Sequence, residues 1–176
     1  IGLSAMKLLQ TIHNIDLQTF HWCLQRKYWK PIVRLYRLIS RSADGHLYLL
    51  ISSIFVIFEH WLALKAFVLG LFIERSSYFI LKNRLKRNRP QQAIPGFYSV
   101  IQASDQFSFP SGHTSVAFLA TGLLAYFYPL VLIPLLVWAI NVGISRVMLG
   151  VHFPSDCVAG AALGFGISQY SLYLVL

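Results

Sequence analysis

Charge is what this 176-residue chain has least of. Only 12% of its residues are Asp, Glu, Lys or Arg, against 56% hydrophobic. A soluble domain carries about 25% charged residues, so half the usual polar coat is missing. That shortage argues against a soluble globule, a coiled coil and a disordered segment alike. Acidic residues are rarest, six against fifteen Lys and Arg, for a net charge of +9. Cysteine is nearly absent, and Cys23 and Cys157 are too few and too far apart for a CxxC redox or zinc site. They read as small buried hydrophobes. Ile1–Ile12 lacks the charged start and cleavage box of a secretory signal. The length allows one domain, residues 1–176.

The remaining charges leave long gaps. Gln106–Ser145 is a run of 40 residues without Asp, Glu, Lys or Arg, with Tyr128-Pro129 near its midpoint. A membrane-spanning helix needs about 20 apolar residues, so the run predicts a helical hairpin, Ser111–Tyr128 and Pro129–Met148. Cys157–Leu176 is a second charge-free run and predicts another span. Upstream, Leu47–Phe58 is apolar, Glu59-His60 interrupts, and Trp61–Leu81 continues with only Lys65, Glu74 and Arg75. The reading is an all-α, polytopic membrane helical bundle of five spans over residues 46–176.

Residues 1–45 differ. Arg26, Lys27, Lys30, Arg34, Arg37 and Arg41 alternate with Trp22, Trp29, Ile32, Leu35 and Ile39 in a helical stripe. A basic amphipathic helix with Trp at its margin lies in a membrane interface; a helix packed on its own protein shows the same pattern. Ser42-Ala43-Asp44-Gly45 supplies the turn into the first span.

Three polar clusters sit at helix ends. Lys82-Asn83-Arg84-Leu85-Lys86-Arg87-Asn88-Arg89-Pro90 carries five cations, a pattern that also serves as a topological anchor. Lys82 and Arg89 are two helical turns apart and can clamp an anion from one side. Glu74 is a counterion for one of these cations, or simply the structural partner of Arg75. In Pro110-Ser111-Gly112-His113, Ser caps a helix and Gly lets the backbone approach closely. The helix start favours an anion, and a His in its first turn can protonate a leaving oxygen. In Ser145-Arg146-x5-His152-x3-Asp156, the carboxylate can hold one imidazole nitrogen while the other attacks, although such a pair is often only structural.

The hairpin returns residues 110–113 and 145–152 to one membrane face. Trp61–Leu81 starts at the opposite face and delivers Lys82 and Arg89 to the same place. Three cations, a helix N-terminus, two His and one Asp converge there, which suits a phosphate and its transfer. Polar groups at membrane depth are functional candidates.

These three motifs, in this order, resemble the signatures of the type-2 phosphatidic acid phosphatase superfamily, the lipid phosphate phosphatases. They span 75 residues, Lys82 to Asp156. Many family members carry six spans; here an interfacial basic helix takes the place of the first. The resemblance implies that His152 attacks phosphorus and forms a phosphohistidine, Asp156 orients it, and His113 is the general acid. Lys82, Arg89, Ser111, Gly112 and Arg146 would bind the phosphoryl oxygens. No cofactor or metal is implied. The implied partners are a lipid phosphate or diphosphate and the surrounding membrane lipids, with no nucleic acid. A phosphotransferase on the same scaffold and an inactive membrane scaffold or transporter are the alternatives. A haloperoxidase with similar motifs is a soluble class, which this composition opposes.

Two further expectations concern surroundings. Gln91–Phe109, with Ile94, Pro95, Phe97, Tyr98 and Phe107, either shapes a lipid entrance or is a plain connector. Twelve of fifteen Lys and Arg fall on the catalytic face, which by the positive-inside rule points to the cytoplasm. Bacterial family members favour the outer face of the inner membrane, and that orientation is the one expected.

Overall fold

The computed structural model describes residues 3–24, 30–103 and 105–176; Arg26, Lys27 and Trp29 of the basic segment, and the side chains of Cys23 and Lys30, lie outside the described set. The described residues form helices and no strand. In order these are α1 (Leu3–Leu24), α2 (Lys30–Ser42), α3 (Gly45–Ile57), α4 (Trp61–Leu85), the single turn α5 (Pro90–Ala93), α6 (Gly112–Phe127), α7 (Leu132–Met148) and α8 (Pro154–Val175).

The helix boundaries follow local chemistry. α6 ends at Phe127, and Pro129 opens a 3₁₀ turn, Pro129–Val131, that leads into α7. The expected hairpin break at Tyr128-Pro129 is therefore where the chain reverses. α8 starts at Pro154 rather than Cys157, because proline is pre-set for a first helical position. That places Asp156 in the first turn. α3 and α4 reverse at Glu59, which adopts a left-handed φ of 57°. At that end the His60 ring meets Tyr128 edge-on, 5.9 Å between centroids.

The fold buries charged and polar side chains beside an apolar core and leaves much of its outer surface apolar. Glu74, Lys82, Arg89, Ser111, Ser145 and Asp156 are buried, while Leu130 is 97% exposed and Phe72, Ile133 and Val158 about 70%. Pro129–Met148 and Pro154–Val175 are each long and apolar enough to cross a bilayer, and only a third of each apolar window is buried. α3, at 13 residues, covers roughly 20 Å at 1.5 Å per residue, short of a bilayer core. α2 packs on its own bundle along one side and leaves its basic side exposed. Ile39 and the following Ala43 pack with Ala139 and Val142 of α7, while Arg34, Leu35, Arg37, Leu38 and Arg41 face outward.

α8 packs closely on α6 because glycines remove the side chains between them. A Cβ on Gly164 would lie 1.9 Å from the Ser115 carbonyl oxygen, and one on Gly160 would lie 2.5 Å from that of Ser111. The opposing atoms are backbone, so a neighbouring rotamer cannot relieve the clash. Gly166 has nothing within 4 Å of its Cβ position. Gly164→Val should cost about 1–3 kcal/mol from overpacking. Thermal unfolding in detergent should show a lowered Tm for Gly164→Val and little change for Gly166→Ala.

Candidate active site

α4 ends one turn beyond Lys82, where Lys86 takes a left-handed φ of 45° and its N–H bonds the Lys82 carbonyl at 3.1 Å. Lys82 and Arg89 therefore do not share one helical stripe, contrary to the spacing argument. They meet through a carboxylate instead. Lys82 Nζ lies 2.5 Å from Asp105 Oδ2, Arg89 Nη2 bonds Asp105 Oδ1, and Arg89 Nε donates to the Asp105 carbonyl at 3.0 Å. The Tyr78 hydroxyl donates to the same carboxylate. Burial would raise the Asp105 pKa, but the bonds from Lys82 and Tyr78 and the Arg89 charge prevail and hold it at about 2. Arg89 Nη1 also donates to the Val151 carbonyl at 2.6 Å, which fixes it beside the third motif.

His152 is buried between two unlike neighbours. Its Nε2 lies 3.5 Å from Arg89 Nη1. Its Nδ1 lies 3.7 Å from Asp156 Oδ2 and 3.5 Å from Ser108 Oγ, whose hydroxyl donates to that same Asp156 oxygen. A proton on Nδ1, toward Asp156 and Ser108, leaves Nε2 unprotonated, with its lone pair turned to Arg89 Nη1. Burial, helped by the charges of Arg89 and Arg146, outweighs the pull of Asp156 and lowers the His152 pKa to about 4. The ring is neutral at pH 7, the form in which an imidazole can act as a nucleophile.

Asp156 is itself held. It accepts from the Phe153 N–H at 2.8 Å and from Arg87 Nη1 at 2.6 Å. Arg87 Nη2 reaches Asp16 of α1 at 2.6 Å, and Asp16 accepts from the Ser155 N–H and hydroxyl at 2.9 and 2.6 Å. Opposite, His113 Nε2 lies 3.0 Å from Asp44 Oδ1, and Arg146 Nη1 donates to Ser40 Oγ at 2.6 Å. Arg146 Nε is buried with no partner among the described residues. Glu74 is paired with Arg75 through two bonds, at 2.5 and 2.8 Å.

A cavity of about 600 Å³ collects these groups. Arg89, Gly112, His113, Arg146 and His152 line it, with Tyr78, Arg75 and Asp105. Lys82 reaches it through Asp105, and Asp156 stands behind His152. Ser111 sits at the helix cap, but its hydroxyl is 2.9 Å from Thr114 Oγ1 rather than turned to the cavity. Among the described residues of Gln91–Phe109, only Asp105 is on the wall. Ile94, Phe97, Tyr98 and Phe107 are not, and Phe97 packs edge-on against Phe20 of α1, 4.9 Å between centroids. Cys157 is buried, with Sγ 3.4 Å from the Gly143 carbonyl oxygen, as a small core residue should be. Sequence reasoning missed Asp16, Ser40, Asp44, Arg87, Asp105 and Ser108. The one available signal was the rarity of carboxylates in a chain so rich in cations.

The PAP2 superfamily model matches residues 60–176. A decaprenylphosphoryl-5-phosphoribose phosphatase of Mycobacterium tuberculosis is 36% identical over 113 residues, 60% of this chain and 56% of that protein. A lipid A 1-phosphatase of Rhizobium etli is 35% identical over 89 residues, 48% of this chain and 38% of that protein. The match thus spans little more than half the length of the first relative and 38% of the second. Aquifex aeolicus LpxE superposes with a TM-score of 0.81 at 22% identity, covering 90% of this chain and 95% of that one. The first transmembrane PAP2 type phosphatidylglycerolphosphate phosphatase from Bacillus subtilis gives 0.71 at 24% identity, covering 93% and 86%. The solved structures share the fold, the family model covers all three motifs, and the chain belongs to the PAP2 superfamily.

Proposed function

We propose that the protein is a lipid phosphate phosphatase working through a phosphohistidine on His152. The observation that carries this is the neutral, buried His152, with Nε2 beside Arg89 in a cavity that also holds His113 and Arg146. The Nε2 lone pair forms the N–P bond while the bridging P–O bond breaks. The leaving oxygen keeps that electron pair and takes a proton from His113. Water then attacks phosphorus, gives its proton to His113 and releases phosphate as the N–P electron pair returns to His152. Lys82, Arg89 and Arg146 offset the charge that develops on the phosphoryl oxygens. The named relatives act on lipids that carry a phosphate, which supports a phosphate on a hydrophobic anchor as the substrate class. Five spans over residues 46–176 and an active site on the outer face of a bacterial inner membrane complete the proposal.

Asp105 has a definite place in this scheme. Its carboxylate takes the two cations that a phosphoryl group would use, and with a pKa of about 2 it stays charged at any working pH. A phosphate therefore binds in competition with it. Asp105→Asn should tighten inhibition by inorganic phosphate about tenfold. An unchanged inhibition constant would remove Asp105 from the binding step.

His152→Ala should abolish turnover of phosphatidic acid, and the wild type should keep its activity in EDTA. His113→Ala should lose about 10²-fold or more on phosphatidic acid and far less on p-nitrophenyl phosphate, whose leaving group needs no proton. Equal losses on both would contradict the general-acid role. The neutral ring of His152 is the reactive form, so competence is present above its pKa and lost below it. ¹⁵N-histidine spectra, assigned with His152→Gln, should show the ring neutral down to about pH 5 and protonating near 4. Protonation near 6.5 would contradict the burial argument.

A further inference from the structure

The family match begins at residue 60, yet polar contacts to Arg146 and His113 come from before it. Ser40 accepts from Arg146 Nη1 at 2.6 Å, and the Asp44 carboxylate lies 3.0 Å from His113 Nε2. Both stand where α2 turns into α3. That turn is well held. The Ala43 and Asp44 N–H groups donate to the Ser40 and Arg41 carbonyls at 3.2 and 3.0 Å, and the Asp44 carbonyl accepts from the Leu47 N–H at 3.1 Å. Trp138 Nε1 of α7 donates to Ser42 Oγ at 2.8 Å, and Arg37 Nη2 of α2 donates to the Val100 carbonyl at 3.0 Å. Asp44 also lines the cavity wall beside His113.

We propose that the α2–α3 turn is a working part of the active site, with Asp44 as the positioning residue of His113. The inference rests on the general-acid reading of His113 above. His113 is surrounded mainly by positive charge, since Arg146 and Arg75 line the same cavity. Asp44 is the carboxylate within hydrogen-bond reach of the ring among the described residues. It fixes which way the imidazole points and pairs with its charge when the ring is protonated. When the ring gives its proton to the leaving oxygen, the carboxylate keeps the neutral ring in place to accept one from water. The arrangement parallels His152 and Asp156 on the nucleophile side. It also gives the basic helix α2 a catalytic consequence, because its C-terminal end sets the position of the acid.

The test compares Asp44→Asn, Asp44→Glu and His113→Ala on short-chain phosphatidic acid and p-nitrophenyl phosphate. Asp44→Asn should lower kcat on phosphatidic acid about tenfold or more beyond any loss on p-nitrophenyl phosphate, with KM little changed. Asp44→Glu should recover part of the loss. Residual p-nitrophenyl phosphate turnover reports that the variant is folded. Equal losses of Asp44→Asn on both substrates, or no loss on either, would overturn the proposal. If His113→Ala is selective for the poor leaving group and Asp44→Asn is not, the role of Asp44 falls and the acid role of His113 stands. If neither is selective, both fall.

Discussion

Lys82 and Arg89, buried away from water, are held by a carboxylate, and this chain has six acids for fifteen Lys and Arg. Breaking a buried ion pair by removing one partner costs about 3–5 kcal/mol, so the few acids are not free to sit anywhere. Five of them stand within one connected region. Asp105 holds Lys82 and Arg89, Asp156 and Asp16 share Arg87, Asp44 holds His113, and Glu74 holds Arg75. Glu59, at the turn between α3 and α4, is the exception. The distribution explains how a helical bundle with an apolar exterior carries so much charge inside one end. Under the proposed function it also makes phosphate binding competitive, since Lys82 and Arg89 already have an anion.

The second requirement is close helix packing. Gly160 and Gly164 let α8 approach the backbone of α6, and the Ser111 N–H then donates to the Asp156 carbonyl at 3.0 Å. That bond joins the second motif to the third at the backbone, so His113 of α6 and His152, on the short link between α7 and α8, face one cavity. Arg89 completes the join by donating to Val151. The chemistry is assembled from helix ends, while the helix bodies present leucine, phenylalanine and valine outward. Catalytic polarity and membrane solubility are thus separated along the bundle axis.

Much of this is legible in the sequence. The charge-free run from Gln106 to Ser145 marked the hairpin, Pro129 marked its break, and the converging helix ends brought the three motifs together. What escaped was of one kind. Asp44 and His113 are 69 residues apart, Ser40 and Arg146 are 106 apart, and Asp16 and Arg87 are 71 apart. Helical periodicity reports neighbours three or four positions away and is silent at such distances. The stripe expected for Lys82 and Arg89 failed for a local reason: Lys86 adopts a left-handed conformation and stops the helix between them. The aromatic segment after Arg89 reads equally as a lipid entrance or a plain connector, and within it Phe97 packs edge-on against Phe20 of α1.

The central claim is a covalent bond between His152 and phosphorus. Rapid alkaline quenching of the purified enzyme during turnover of phosphatidic acid, followed by peptide mass spectrometry, tests it directly. A phosphoryl group on the peptide containing His152, located on that residue and absent when substrate is withheld, is the predicted result. Phosphorylation of His113 or of another residue instead, at an occupancy that rises and decays with turnover, would contradict the account.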